Sequence, residues 1–330
     1  MTKKIGIFDK YDRAIIWHLD VNSRESYSKI ARVVRLSKQA VKYRIDKMEK
    51  AGFIRGYRAI ANLSSLGYTY CRLHIKFHNT SKEQEKKMIE AFASDGRVNW
   101  IVRTDGPYDL LVGLLGKNEM ELDQTVSDIL SPLRDWISSY DFAMVVRIVL
   151  YNRGYWLGKK SPERNYMVGN EKLHSKQEPE RLDAADKKIL SSLAENARLP
   201  INAIANMAGL SPEAVSYKIK KFKKSGLIAK YFLLLDYMKG GTGLYKTLLF
   251  MNPLDEEKEK EFAEFVASEP YIIDYTKTLA PWQMELDLEA RDNEHYHEII
   301  AGISERFKGF IRDYQTLYVL KEHKFLYCPV

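Results

Sequence analysis

Cysteine is nearly missing from this chain of 330 residues, and its scarcity excludes two chemistries. Cys71 and Cys328 stand alone, with no cysteine or histidine at metal-ligand spacing, so neither a disulfide framework nor a metal site is expected, only two reduced structural thiols. His295 and His297 are two apart on an expected helix and so do not face each other. Long apolar runs are missing too. The longest, such as Phe142 to Val146, fall far short of the roughly 20 residues that a membrane span needs. The N-terminus is charged from Lys3 and Lys4 onward, and a cytoplasmic protein without membrane contact is expected. No cofactor and no metal is implied.

What is present is ordinary in amount and unusual in distribution. Hydrophobic residues make up 45%, enough for two to four globular domains. The net charge is +8, but residues 1–60 hold 15 Lys/Arg against 6 Asp/Glu, and residues 181–240 hold 11 against 5. The remainder of the chain is therefore net acidic. Cations confined to two segments are the footprint expected for phosphate contacts, not a general solubility device.

Those two segments are copies of each other. Residues 8–57 and 182–231 align without gaps at an offset of 174 and are identical at about 19 of 50 positions. Phe8-Asp9-x-x-Asp12 answers Leu182-Asp183-x-x-Asp186, and Leu36-Ser37-x-x-Ala40-Val41-x-Tyr43-x-Ile45 answers Leu210-Ser211-x-x-Ala214-Val215-x-Tyr217-x-Ile219. Gly52-x-Ile54 and Gly226-x-Ile228 close the two copies.

Behind each copy lies a second shared pattern. Tyr70 to Phe77 reads as a strand, and Ser81 with Gln84 forms a capping box for a helix through about Ser94. Val98 to Thr104 and Leu110 to Leu115 read as strands joined by the turn Asp105-Gly106-Pro107. A helix from Asn118 to about Leu133 and a strand from Phe142 to Leu150 complete the order βαββαβ. The second half repeats it with strands near Tyr245 to Phe250, Tyr271 to Thr278, Met284 to Leu288 and Tyr314 to Leu320, and helices from about Asp255 and Asp292. That order suits a ferredoxin-like fold, an antiparallel sheet with helices on one face and the other face bare. The class is α+β: helix-turn-helix domain 1–60, βαββαβ domain 61–157, flexible linker 158–181, helix-turn-helix domain 182–240 and βαββαβ domain 241–330.

In the first basic unit Ile15, Ile16 and Leu19 from one helix, and Ile30, Ala31 and Val34 from a second, face a small core. Ser37 can cap a third helix that runs to about Lys50 and that Gly52 ends in a left-handed conformation. The helical period puts Val41, Ile45 and Met48 on one buried stripe, and Gln39, Tyr43, Asp46 and Lys50 on the opposite face, with Lys42 and Lys47 flanking. This is a recognition-helix arrangement. Gln39 suits adenine, Arg35, Lys38, Lys42 and Lys47 suit phosphate or guanine, and Tyr43 and Tyr217 suit stacking on a sugar or covering the helix. The second unit has Pro212, Glu213 and Ser216 where the first has Lys38, Gln39 and Lys42, so it should read different bases or bind mainly through Lys218, Lys220, Lys221 and Lys224.

These residues resemble the Lrp/AsnC family of prokaryotic transcription regulators, which join a helix-turn-helix to a βαββαβ effector domain. The resemblance rests on Asp9-x-x-Asp12-x-x-Ile15, on the run from Leu36 to Ile54 with Tyr43-Arg44-Ile45 and Ala51-Gly52-Phe53, and on Leu66-Gly67-Tyr68. It implies a double-stranded DNA partner, pairing of the bare sheet faces, and a small-molecule, often amino-acid, effector near the turn holding Gly106, Tyr108 and Asp109. In the second copy that turn reads Thr278-Leu279-Ala280-Pro281-Trp282-Gln283, without the glycine or the carboxylate. Two modules in one chain imply an internal pseudo-dimer with unlike recognition helices, and further association of chains stays open.

A sequence-specific, non-enzymatic regulator is therefore the leading reading. One alternative is an architectural protein that compacts DNA with little sequence preference through its lysine runs. Another is an enzyme of the sirohaem-decarboxylase type, which resembles the same two-part architecture but carries a His-x-Tyr-Asn-type motif where this chain has Gly106-Pro107-Tyr108-Asp109.

Overall fold

The computed structural model describes residues 8–160, 164–169, 179–326 and 328–330. The first module opens with α1 (Lys10–Val21), α2 (Tyr27–Val34) and α3 (Lys38–Lys50), then the wing strand β1 (Ile54–Ala61). Asp9 caps α1 by accepting from the Tyr11 and Asp12 N–H groups, and Asp12 reaches back to the Asp9 N–H, which satisfies donors that a helix start leaves open. The βαββαβ unit follows as β2 (Thr69–Phe77), α4 (Lys82–Ser94), β3 (Val98–Asp105), β4 (Leu110–Gly116), α5 (Glu119–Leu130) and β5 (Ile137–Leu150). The Ser81–Gln84 capping box forms as expected.

The second module repeats this order: α6 (Ala184–Glu195), α7 (Ile201–Ala208), α8 (Pro212–Ser225) and wing β7 (Ile228–Leu235). After a one-turn helix α9 (Tyr237–Gly240) come β8 (Gly243–Met251), α10 (Glu256–Ser268), β9 (Ile272–Leu279), β10 (Met284–Ala290), α11 (Asn293–Arg306) and β11 (Ile311–Phe325).

Of the stretch 158–181, expected to be a flexible linker, residues 161–163 and 170–178 lie outside the described residues. Within it Asn165–Val168 forms a strand, β6, paired with β5, and Asn165, Met167 and Val168 are buried. Four residues are too few for a periodic signal, so only the partner strand makes the strand visible.

Each βαββαβ unit has the expected order, β5-β2-β4-β3 in the first and β11-β8-β10-β9 in the second. The two sheets do more than lie face to face. β3 pairs antiparallel with β11, and β5 with β9, so eight strands close into a barrel with no open edge among them. The helix-facing side of β2 carries Cys71, Leu73 and Ile75 in a core with Met88, Phe92 and Leu122. Its other side turns Tyr70, Arg72 and His74 into the barrel.

The wings also meet. β1 and β7 form a two-stranded antiparallel ribbon running from the Ile54–Leu235 pair to the Ala61–Ile228 pair. One continuous core joins Ile15, Leu19 and Ile45 of the first unit with Ile189, Leu193 and Ile219 of the second. The two helix-turn-helix units are thus one body. No helix among the described residues is long and apolar enough to cross a membrane.

Candidate nucleic-acid interface

Local chemistry starts both third helices at the same place. Ser37 accepts from the Ala40 N–H at 3.0 Å to begin α3, and Ser211 accepts from the Ala214 N–H at 3.2 Å to begin α8. The turn before each needs a left-handed residue. In the second unit it is Gly209 (φ 66°), whereas in the first it is Arg35 (φ 56°), which bears a steric penalty of about 1–2 kcal/mol that glycine escapes.

Val41, Ile45 and Met48 are buried, as are Val215, Ile219 and Phe222, which leaves the opposite faces in solvent. Arg35, Lys38, Gln39, Lys42, Tyr43, Lys47 and Lys50 are all exposed. So are Glu213, Tyr217, Lys220, Lys221 and Lys224, with Ser216 half-buried. Tyr43 is 70% and Tyr217 71% exposed, and two large rings held in water at equivalent positions suit stacking on a partner better than covering their own helices. Among the described residues Lys38, Lys47 and Lys50 form no ion pair. Lys42 lies 2.5 Å from Asp46, whose hydrogen bond raises its pKa, but the pair is open to solvent and exchangeable for phosphate.

Lys218 departs from the expected role. It occupies the position of Arg44, and both are turned toward the start of the first helix of their unit, α1 or α6. Arg44 bonds Asp9 at 2.8 Å and Asp12 at 2.7 Å, and Lys218 bonds Asp183 at 3.1 Å and Asp186 at 2.7 Å. The hydrogen bond to Asp186 raises the Lys218 pKa. Helical spacing placed Lys218 at the edge of the binding face, and the aspartates 32 and 35 residues upstream decide its direction.

The two units are tied by a reciprocal contact. Arg24 donates to the carbonyls of Ala197 and Leu199, and Arg198 donates to those of Ser23 (2.7 Å) and Glu25 (3.0 Å). Every residue in one half of that contact lies 174 positions from its counterpart in the other.

The turn expected to take an effector is built into the seam between barrel halves. Tyr108 donates to Asp141 at 2.7 Å, and its ring lies 5.3 Å from that of His74 and 5.9 Å from that of Trp282. Asp109 accepts from the Phe77 N–H at 2.9 Å and pairs with Lys76 (3.2 Å) and Arg103 (3.6 Å), so its carboxylate is already fully engaged. At Gly106 (φ 138°) a Cβ would lie 2.6 Å from the Thr316 carbonyl oxygen. The barrel holds instead a charged cluster that the sequence did not single out. Arg72 donates to Glu285, which also binds Lys246 at 3.2 Å, while Lys246 contacts Asp287 at 2.5 Å. Burial lowers the His74 pKa, keeping that ring neutral beside Glu285. The one signal in the sequence is the alternation of Tyr70, Arg72 and His74 with Cys71, Leu73 and Ile75.

A winged helix-turn-helix DNA-binding family matches residues 8–55 and 182–229, the two units just described. The chain is 30% identical over 128 residues to an HTH-type transcriptional regulator of Pyrococcus abyssi, covering 84% of it and 38% of this chain. With the HTH-type transcriptional regulator FL11 of Pyrococcus horikoshii it shares 26% over 143 residues, 92% of that protein and 43% of this one. Each relative has about the length of one module. Over 96% of the chain the fold is similar to that of the siroheme decarboxylase NirDL, at a TM-score of 0.62, 16% identity and 93% of that chain.

Proposed function

The chain belongs to the Lrp/AsnC family of helix-turn-helix transcription regulators as a tandem of two modules, and from that premise we propose that it binds a specific DNA site as its own dimer. The reciprocal contact of Arg24 and Arg198 carries this reading, because it sets two recognition helices in one body by the isologous rule that ordinarily relates separate subunits. α3 and α8 differ in the residues they expose, Lys38, Gln39 and Lys42 against Pro212, Glu213 and Ser216, so the two half-sites are unlike. Gln39 reads adenine, and the surrounding lysines hold phosphates. Glu213 accepts from cytosine, with Lys220, Lys221 and Lys224 as its phosphate contacts.

Selection of bound duplexes from a random pool by the full chain tests this, followed by affinity against salt on the enriched site and on scrambled DNA. Two unlike half-sites in one enriched sequence support the reading. Equal, salt-sensitive affinity for every duplex overturns it in favour of an architectural role.

The likeness of fold to NirDL, together with His74 beside Tyr108, favours one second reading, an enzyme acting on a tetrapyrrole. Against it stand a barrel cavity of about 290 Å³, at the small end for ligand sites, and cations already neutralised by buried carboxylates. A shift of the absorption spectrum of added iron-uroporphyrin III would revive it.

A further inference from the structure

A cavity of about 290 Å³ opens between the mouth of the barrel and the paired wings, walled by Trp100, Arg72 and Asp274 on the barrel side and by Arg55, Phe232 and Tyr237 on the wing side. Its volume suits a molecule of few heavy atoms. The charges around it are unevenly satisfied. Arg72 is neutralised by Glu285, Lys246 by Glu285 and Asp287, and Arg153 by Glu289 at 2.9 Å and Asp20 at 2.6 Å.

Three of the lining carboxyls lack such a partner: Asp236, which caps α9 by accepting from the Lys239 N–H, and two that face the cavity on the barrel strands. Asp274 is buried and accepts from the Thr276 hydroxyl at 2.8 Å, and Glu322 accepts from the Trp100 indole N–H at 3.3 Å. Neither forms an ion pair among the described residues. The reason for Asp274 lies in the strand register: it stands directly across from Asp287 on β10, and Lys246 is spent on Asp287. Asp274 and Glu322 lie on β9 and β11, with β10 and β8 between them. Across β10 and β8 Asp274 is level with Leu317, and Glu322 lies five residues further along β11; both side chains line the one cavity. The rest of the lining includes the apolar and aromatic Trp100, Leu235, Phe232 and Val319, and it also carries the cations Arg55 and Lys321.

We propose that this cavity binds a short linear diamine, one ammonium against Asp274, the other against Glu322, and the methylene chain along the aromatic wall. The site goes beyond the DNA-binding reading and does not depend on it.

The electrostatics agree. Burial and the Asp287 charge push Asp274 up to about 7, against the lowering effect of Arg72 and Lys246. Burial pushes Glu322 up to about 7, with Asp287 adding to the rise and the Trp100 hydrogen bond and Arg55 opposing it. An arriving ammonium favours the ionised carboxylates, so binding near neutral pH releases protons.

Calorimetric titration of the full chain with putrescine, butylamine and succinate tests the site, run in two buffers of unlike ionisation heat. Expected is putrescine binding at least tenfold tighter than butylamine, no succinate binding, and proton release on binding. Asp274→Asn and Glu322→Gln should each reduce putrescine to the butylamine level. Equal affinity for butylamine and putrescine, preference for succinate, or full affinity in both variants overturns the proposal. If Asp274→Asn does not fold, Glu322→Gln and the proton count still decide. DNA affinity measured without amine reports separately on the regulator reading.

Discussion

Arg24 and Arg198 sit 174 residues apart and do the same thing to each other's loops: each guanidinium caps two backbone carbonyls of the opposite helix-turn-helix unit. Hydrogen bonds from a charged donor are each worth about 1.5–3 kcal/mol when buried, less at this partly exposed contact. Arg24→Ala and Arg198→Ala should therefore each lower unfolding stability by about 1–3 kcal/mol, and by similar amounts. Urea denaturation checks this, and a large cost in one variant with none in the other would break the equivalence.

Arg35 holds a left-handed backbone where its counterpart is Gly209. Strain kept at an exposed cation suggests that the side chain is needed. Arg35→Gly should stabilise the fold by up to about 1 kcal/mol, since relief of strain outweighs the freer unfolded chain, and should weaken DNA binding. Thermal unfolding and a binding isotherm on the same preparation give both signs. A variant that binds DNA as tightly as the parent would assign Arg35 to the turn alone.

Replacing Lys38, Lys42 and Lys47 together by alanine should weaken DNA binding and reduce the slope of log affinity against log salt by about 2.7, at roughly 0.9 for each phosphate no longer neutralised. Lys218→Met should leave that slope unchanged and cost stability instead, because Lys218 holds Asp183 and Asp186. A salt titration of both variants separates the two roles.

Asp274 and Glu322 have folded-state values of about 7 against ordinary values of 3.8 and 4.5. Between about pH 4 and pH 7 the folded state therefore holds more protons than the unfolded one, and these groups lower stability as pH rises through that window. Glu285 acts in the opposite direction: Arg72 and Lys246 outweigh its burial and depress its pKa, so its contribution is present at neutral pH and lost only in strong acid. Denaturation midpoints at pH 5 and pH 8 should differ less in the Asp274→Asn, Glu322→Gln double variant than in the parent.

Gly106→Ala forces a Cβ against the Thr316 carbonyl in the seam between barrel halves. A cost of about 1–3 kcal/mol is expected, from the collision and from a backbone angle that alanine disfavours. DNA affinity per folded molecule should be unchanged, as measured by melting temperature alongside a binding isotherm at a temperature where the variant is folded.

Much of this architecture was legible because it is written locally. The stripes Ile15-Ile16-Leu19 and Val41-Ile45-Met48, the caps at Ser37, Ser81 and Ser211, and the alternation along β2 depend on residues within a few positions of one another. The exposed lysines of α3 followed from the same period. Lys218 did not, since its carboxylate partners lie on another helix, and the engagement of Asp109 was hidden because Lys76, Phe77 and Arg103 reach it from other strands.

By itself the sequence determined the two modules, the order of helices and strands in each, and the basic faces of the repeated units, all of which follow from short-range periodicity and charge. Tertiary structure alone decided that β3 joins β11 and β5 joins β9, that the wings pair with each other, and that Arg72 meets Glu285 across 213 residues. The physical reason is that strand edges and buried charges choose partners by register and by the loss of water, and neither exists until distant segments have met.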